Sequence, residues 1–171
     1  MTSAEFWDGV HARCDMAWIG GHDPAAVLQI HGYFPTGKVV ADVGVGDGSM
    51  SHHLASLGND VIAVDISNVA LGRSCGISIL LPGPVPACDL AIVHCVAQHL
   101  VDEEFVYLLS ALHRCTEISM QVAHGTLPAH ERLISRTREQ YEALVTRAGK
   151  HVKVWLDGPV FDAVSWSVAK I

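Results

Sequence analysis

The chain is poor in positive charge. Lysine and arginine together number 11 against 18 aspartates and glutamates, for a net charge of −7 over 171 residues with histidine neutral. Tight nucleic-acid binding needs clustered cations against phosphates, so this balance argues against DNA or RNA as a partner. Charged residues of both signs make up only 17% of the chain and apolar ones 50%, which excludes a disordered polymer. Paired C-x-x-C motifs are missing. The five cysteines (Cys14, Cys75, Cys88, Cys95 and Cys115) are scattered, and Cys88 and Cys95 border or lie in an apolar run, so a reduced, cytoplasmic thiol set is expected. The first residues, M-T-S-A-E-F-W-D-G-V, contain no apolar signal-type segment. The longest uncharged stretch, residues 74–88, is broken by Pro82, Pro84 and Pro86 and cannot form a membrane helix. A soluble cytoplasmic protein is expected, with no membrane partner and an oligomeric state the sequence does not encode legibly.

What the chain does have is alternation. Residues 3–34 are mixed, with Trp7, Trp18 and a turn at Gly20-Gly21. Asp23-Pro24 reads as a helix start, Asp as N-cap and Pro at the first helical position, with Val27, Leu28 and Ile30 on the apolar side. Val39–Val43 is the first strand. A helix over 49–57 closed by Gly58 follows, then a β-branched strand over 61–66 and a short helix over 68–73. G-I-S-I-L-L supplies a third strand, and the loop 82–87 leads into D-L-A-I-V-H, a fourth over 89–94. Phe105, Leu108, Leu109 and Leu112 recur at helical spacing. Residues 117–123 form a fifth strand and 131–148 a long amphipathic helix ending at Gly149. The last apolar runs, 152–156 and 161–168, are separated by D-G-P, which suits a hairpin return. Strands that are nearly all apolar and alternate with helices predict an α/β, doubly wound, mostly parallel sheet covered on both faces, with an antiparallel last strand. Residues 1–37 are expected to form a helical or lid segment ahead of a domain over 38–171, within a single domain overall.

The stretch 39–50, V-V-A-D-V-G-V-G-D-G-S-M, places three glycines where a strand hands over to a helix. In a doubly wound sheet ligands gather at the carboxyl ends of the strands, and a turn without Cβ atoms lets the backbone approach a nucleoside. Asp65 ends the second strand about 20 residues after the first glycine, where an acid takes the ribose hydroxyls. A dinucleotide fingerprint would run G-x-G-x-x-G, but the third glycine's position is Ser49. Asp42 inside the strand would repel a pyrophosphate and orient a cationic amino-acid moiety instead.

D-V-G-V-G-D-G over 42–48 therefore resembles the first motif of the class I S-adenosylmethionine-dependent methyltransferases, D-x-G-x-G-x-G. The likeness runs from about Lys38 to Ile171. Asp65-Ile66 is similar to that family's ribose-binding acid and the apolar residue beside the adenine. Leu81-Pro82 followed by D-L-A-I-V resembles the passage into its fourth strand, and V-A-Q-H-L-V-D over 96–102 resembles a segment of many small-molecule members. The resemblance implies a compact Rossmann-like fold with shortened helices after strands two and three, and S-adenosylmethionine as cofactor. It implies a cofactor site of Asp42, Gly44, Gly46, Gly48, Asp65, Ile66, Ile77, Ser78 and His94, and no metal. Ile77 stands where members commonly carry an acid near the adenine, which leaves adenine to backbone groups or water.

Motifs of the amino-methylating nucleic-acid enzymes are absent: the position after strand four reads His94-Cys-Val-Ala, and no Pro-Cys nucleophile occurs there. Cys95 has nothing nearby in sequence to lower its pKa. Together with the acidic charge, this points to a small-molecule acceptor. The donor is already activated, so the protein aligns the acceptor and, for a weak one, removes its proton. His99 is the candidate base, against the plainer reading of a helix-start histidine bonded to the backbone. His52, His53 and His124 read as surface residues, and the His94/His99 spacing does not suit a helical metal pair. Trp7 and Trp18 either close over the cleft or pack on the sheet edge. Two other functions stay open: an inactive S-adenosylmethionine-binding module, and a methyltransferase acting on RNA or protein.

Overall fold

Val39–Val43 (β1), Asp60–Asp65 (β2) and Cys88–His94 (β4) are runs of small and β-branched apolar residues, and all three are buried on both faces. They form the middle of a seven-stranded sheet. The structure, a computed structural model, describes residues 2–13, 23–124, 132–161 and 164–171. Cys14, Trp18 and Gly20-Gly21 lie outside the described residues. Ile77–Leu80 (β3), Cys115–His124 (β5), Val154–Phe161 (β6) and Val164–Lys170 (β7) complete the order β3-β2-β1-β4-β5-β7-β6. The first five are parallel, and β7 runs antiparallel between β5 and β6. Strand order therefore reverses between β1 and β4, which opens a crevice at their carboxyl ends.

Side chains alternate across the sheet. Val40, Leu90 and Ile92 face Pro24–His31 (α2) and Ser49–Ser56 (α3), packing against Val27, Leu28, Met50 and Leu54. Ala41, Val43, Ala91, Val93, Ile118 and Met120 face Asp102–Ala111 (α5) and Arg138–Arg147 (α6), where Phe105, Leu109 and Tyr141 are fully buried. Truncating a residue such as Leu54 or Phe105 to Ala costs about 2–5 kcal/mol at sites like these. Two more helices lie toward the carboxyl edge: Ser3–Arg13 (α1) and the single turn Asn68–Leu71 (α4). Among the described residues no helix is long and apolar enough to cross a membrane.

Asp23 caps α2 by accepting from the Ala25 N–H at 3.0 Å, as the Asp-Pro signal predicts. Four local expectations are corrected. The long last helix begins at Arg138, because Thr137 and Gln140 form a capping box there, while Ile134 donates its N–H to the Gln98 carbonyl at 2.8 Å in an irregular approach. D-G-P is not the hairpin turn: β6 runs through Asp157 and Pro159, with a register shift between Asp157 and Val160. β6 is the edge strand, which tolerates a residue without an N–H. The short helix after β2 stops at Leu71 instead of running to residue 73, while the loop from β3 into β4 is as expected. Finally, Cys88 and Cys115 are disulfide-bonded rather than separate thiols. They stand opposite each other on neighbouring strands, Cα atoms 4.6 Å apart, whereas Cys75 and Cys95 are free thiols.

Candidate active site

The end of β1 turns through Gly44, Gly46 and Gly48, all with positive φ (78°, 60° and 83°). A Cβ on Gly44 would run into the Val96 side chain, and one on Gly48 into the Arg73 carbonyl. Two of the three glycines thus answer to the protein's own packing. The Asp65 carboxylate accepts from the Ser67 N–H at 2.8 Å, with the N–H groups of Ile66 and Gly46 nearby. The Gly44 N–H donates to the Val64 carbonyl at 2.8 Å, which sets the turn beside the acid at the end of β2. Asp65 is buried, which raises its pKa, while these amides and His11 pull it back down.

Asp42 points away from this notch, toward α3. Its carboxylate accepts from the Ser51 hydroxyl at 2.5 Å and from the Ser51 N–H. Ser51 is the third helical residue after Gly48, the N-cap, which has no side chain to satisfy that amide. Asp42 does the capping from β1. Complete burial pushes its pKa up to about 7, against the Ser51 hydrogen bond and helped by the charges of Asp65 and Asp47.

On the other side of β1, His94 ends β4 and meets a buried histidine from α2. His31 Nε2 lies 3.3 Å from His94 Nδ1, and His31 Nδ1 lies 2.8 Å from the Ser119 hydroxyl. Burial drives the His31 pKa down to about 4, with Lys170 adding to the shift, so the ring is neutral. Cys95 follows with φ 56°, and burial pushes its thiol up to about 12, so it is no thiolate nucleophile.

His99 closes the 3₁₀ turn Ala97–His99 and is 9% exposed. Its Nδ1 lies 3.2 Å from the Arg132 carbonyl. A carbonyl only accepts, so Nδ1 carries a proton here. Buried Arg136 braces the turn by donating to the carbonyls of Ala97 (3.2 Å) and Leu100 (2.7 Å) and to Asp102 (2.7 Å). The Trp7 ring from α1 meets His99 edge-on, centroids 5.1 Å apart.

Most of the expected residues converge on this edge; besides Asp42, which faces α3, two do not. Ile77 pairs with Ile62 and Ser78 with Ala63, at the amino end of β3 and below Asp65. Ile77 is also 61% exposed on the sheet's edge. Leu80 stands beside Asp65 instead, and Leu81 donates its N–H to the Asp65 carbonyl at 2.8 Å. Leu80 and Leu81, rather than Ile77 and Ser78, are therefore the β3-side residues level with Asp65. His52 is exposed and bonded to the Arg73 carbonyl, and His124 ends β5. Sequence reasoning passed over Ser51, Ser67, Asp8 and His11. Only Ser67 carried a signal, as an N-cap-type residue directly after D-I. Among the described residues no cluster of three His, Cys, Asp or Glu side chains has metal-binding geometry.

A nucleoside fits what is here: a Cβ-free turn, a buried carboxylate at the next strand end, and apolar Ile66 and Leu81 beside it. The fold is that of the class I S-adenosylmethionine-dependent methyltransferases, in which a seventh, antiparallel strand enters between β5 and β6. The dinucleotide-binding order 3-2-1-4-5-6 lacks that strand. Magnesium protoporphyrin IX methyltransferase from Synechocystis PCC 6803, solved with bound SAM, aligns over 98% of this chain and 93% of its own, at 16% identity and a TM-score of 0.73. The 1,6-didemethyltoxoflavin-N1-methyltransferase of Burkholderia thailandensis, solved with its acceptor and S-adenosylhomocysteine, aligns over 99% and 90%, at 16% identity and a TM-score of 0.68. A Rhodobacter sphaeroides protein that carries the name of a Zn-dependent alcohol dehydrogenase aligns over 98% and 96%, at 12% identity and a TM-score of 0.75. At such identities the likeness is one of fold. No family model and no curated protein matches the chain.

Proposed function

We propose that the protein is an S-adenosylmethionine-dependent methyltransferase acting on a small molecule. The observation that carries this reading is the glycine turn set beside the buried Asp65, at the crevice of the β1/β4 reversal. When bound, the cofactor supplies an already activated methyl group on a sulfonium. Asp65 takes the ribose hydroxyls, Ile66 and Leu81 flank the adenine, and His94 faces the methionine portion from the end of β4. Asp42 acts through the turn it caps. Arg132 and Arg136 hold His99 so that Nε2 withdraws the proton of the acceptor. The acidic charge and the small-molecule acceptor held by the Burkholderia enzyme favour a metabolite over RNA. Ser49 in place of the third dinucleotide glycine, and the seventh strand, disfavour nicotinamide chemistry.

The test is incubation with methyl-labelled donor and a fractionated cell extract. Label is expected in a small-molecule fraction with the parent protein and not with Asp65→Ala. Label in RNA or protein alone would sink the small-molecule reading. With the acceptor in hand, His99→Ala should turn over about 10²–10⁴-fold more slowly while S-adenosylhomocysteine affinity stays within about threefold. An undiminished rate would leave alignment as the only catalytic device.

A further inference from the structure

Helix α1 lies across the mouth of the crevice and is anchored at both sides. On the β2 side, Asp8 accepts from the Ser67 hydroxyl at 2.5 Å and from the Val69 N–H at 3.3 Å, and Arg73 donates to the His11 carbonyl at 2.7 Å. On the β4 side, Ser3 donates to Glu104 at 2.7 Å, Arg132 donates to Ser3 at 2.8 Å, and Trp7 meets His99. Residues 7, 8 and 11 share one face of a helix, so His11 is carried inward with the two anchors. It is 4% exposed, and its Nδ1 has no hydrogen-bond partner among the described residues. Leaving a buried ring nitrogen unsatisfied is costly, and a ligand's polar group would relieve it.

Asp8, about one helical turn before His11, is bonded to Ser67, whose own N–H bonds the Asp65 carboxylate, so this face of α1 lies at the end of β2. Burial lowers the ring's pKa, the carboxylate of Asp65 opposes that, and Arg73, Asp8 and Asp47 contribute in turn. His11 therefore stands as a neutral imidazole at the notch formed by Asp65 and the glycine turn. From the methyltransferase reading of this notch, we infer that His11 is a further nucleoside-binding residue, delivered by α1 so that its Nδ1 bonds the ribose diol held by Asp65. A carboxylate only accepts, so it engages hydroxyl protons. A neutral ring nitrogen opposite it either donates to or accepts from the second hydroxyl, and a vicinal diol satisfies either tautomer. Binding then completes the buried polar set of α1 and holds the helix down over donor and acceptor alike.

Calorimetry with S-adenosylhomocysteine and its 2′-deoxy and 3′-deoxy analogues, on the full chain, tests this. His11→Phe keeps the ring-shaped, buried side chain and removes the nitrogen. Affinity for S-adenosylhomocysteine should fall about tenfold, and one deoxy analogue should bind parent and variant within about twofold. That convergence marks a direct contact, since a merely loosened helix would weaken all three ligands alike. His11→Ala carries the same comparison if circular dichroism shows that the phenyl ring does not fit. Unchanged affinity in the folded variant, or an equal loss for all three ligands, overturns the inference while leaving the methyltransferase reading intact. A parent protein that binds none of them overturns both.

Discussion

Asp42 and Asp65 are both expected at the cofactor, yet only Asp65 stands at the notch, while Asp42 faces α3. Asp65 was legible from its distance to the glycines, because strand, turn, helix and strand have fixed lengths in a βαβ unit. Asp42's partner was not legible, since capping α3 from β1 is a contact between elements. Asp65→Ala should therefore cost S-adenosylhomocysteine binding about 2–3 kcal/mol by calorimetry. A variant that binds as tightly as the parent would remove Asp65 from the site. The glycines separate too. At Gly48 a Cβ meets the Arg73 carbonyl on top of a positive φ, whereas at Gly58, φ 79°, nothing lies within 4 Å. Gly58→Ala should cost only the left-handed backbone strain, about 1 kcal/mol. Gly48→Ala adds a backbone clash that forces the loop after α4 to move, and should cost about 2 kcal/mol more in denaturant unfolding. Equal losses would mean that the Arg73 loop yields freely.

Among the elements, the central strands were legible because parallel strands buried on both faces leave continuous apolar runs. The edge strand β3 was legible as a strand but not in its register. β3 has only four residues, of which Ile77 and Leu80 are exposed. With little to bury, its register was free to differ from the motif alignment, and that moved Ile77 and Ser78 off the site. Helix α1 was opaque for another reason. It is held by polar anchors to residues far along the chain, Ser67, Arg73, Glu104 and Arg132, rather than by an apolar stripe. Such a helix opens locally at small cost, and Asp8 controls its β2-side anchor. Asp8→Ala removes two hydrogen bonds and should raise amide exchange over residues 3–13 about 10-fold, with β1 and β4 unchanged. Saturating S-adenosylhomocysteine should restore part of the protection. Exchange that is uniform across the chain, or unaffected by the substitution, would mean that α1 is not held as a separate strap.

At the scale of the whole molecule, the buried titratable groups work against one another. Asp42, with its pKa raised to about 7, holds a proton in the folded state that the unfolded chain releases in the ordinary carboxylate range. Its contribution to stability is thus full at low pH and is lost as pH rises from about 4 to 7. Asp65, also raised, has the same sign. His31, lowered to about 4, stays neutral in the fold while the unfolded ring charges below its ordinary value, so its contribution grows from about pH 4 to 6.5. His11, lowered as well, adds to this second arm. The parent's stability should consequently vary little over this range, and single variants should expose the two arms. Asn at position 42 keeps an oxygen for Ser51 but cannot titrate. Relative to the parent, Asp42→Asn should therefore gain stability as pH rises from 4 to 7, at up to about 1.4 kcal/mol per pH unit, and level off above. His31→Gln should drift the opposite way, losing stability relative to the parent between about pH 4 and 6.5. Denaturant unfolding at closely spaced pH values reads both slopes. If Asp42→Asn tracks the parent at every pH, the carboxyl titrates alike in the folded and unfolded states, and its burial against Ser51 carries no proton linkage.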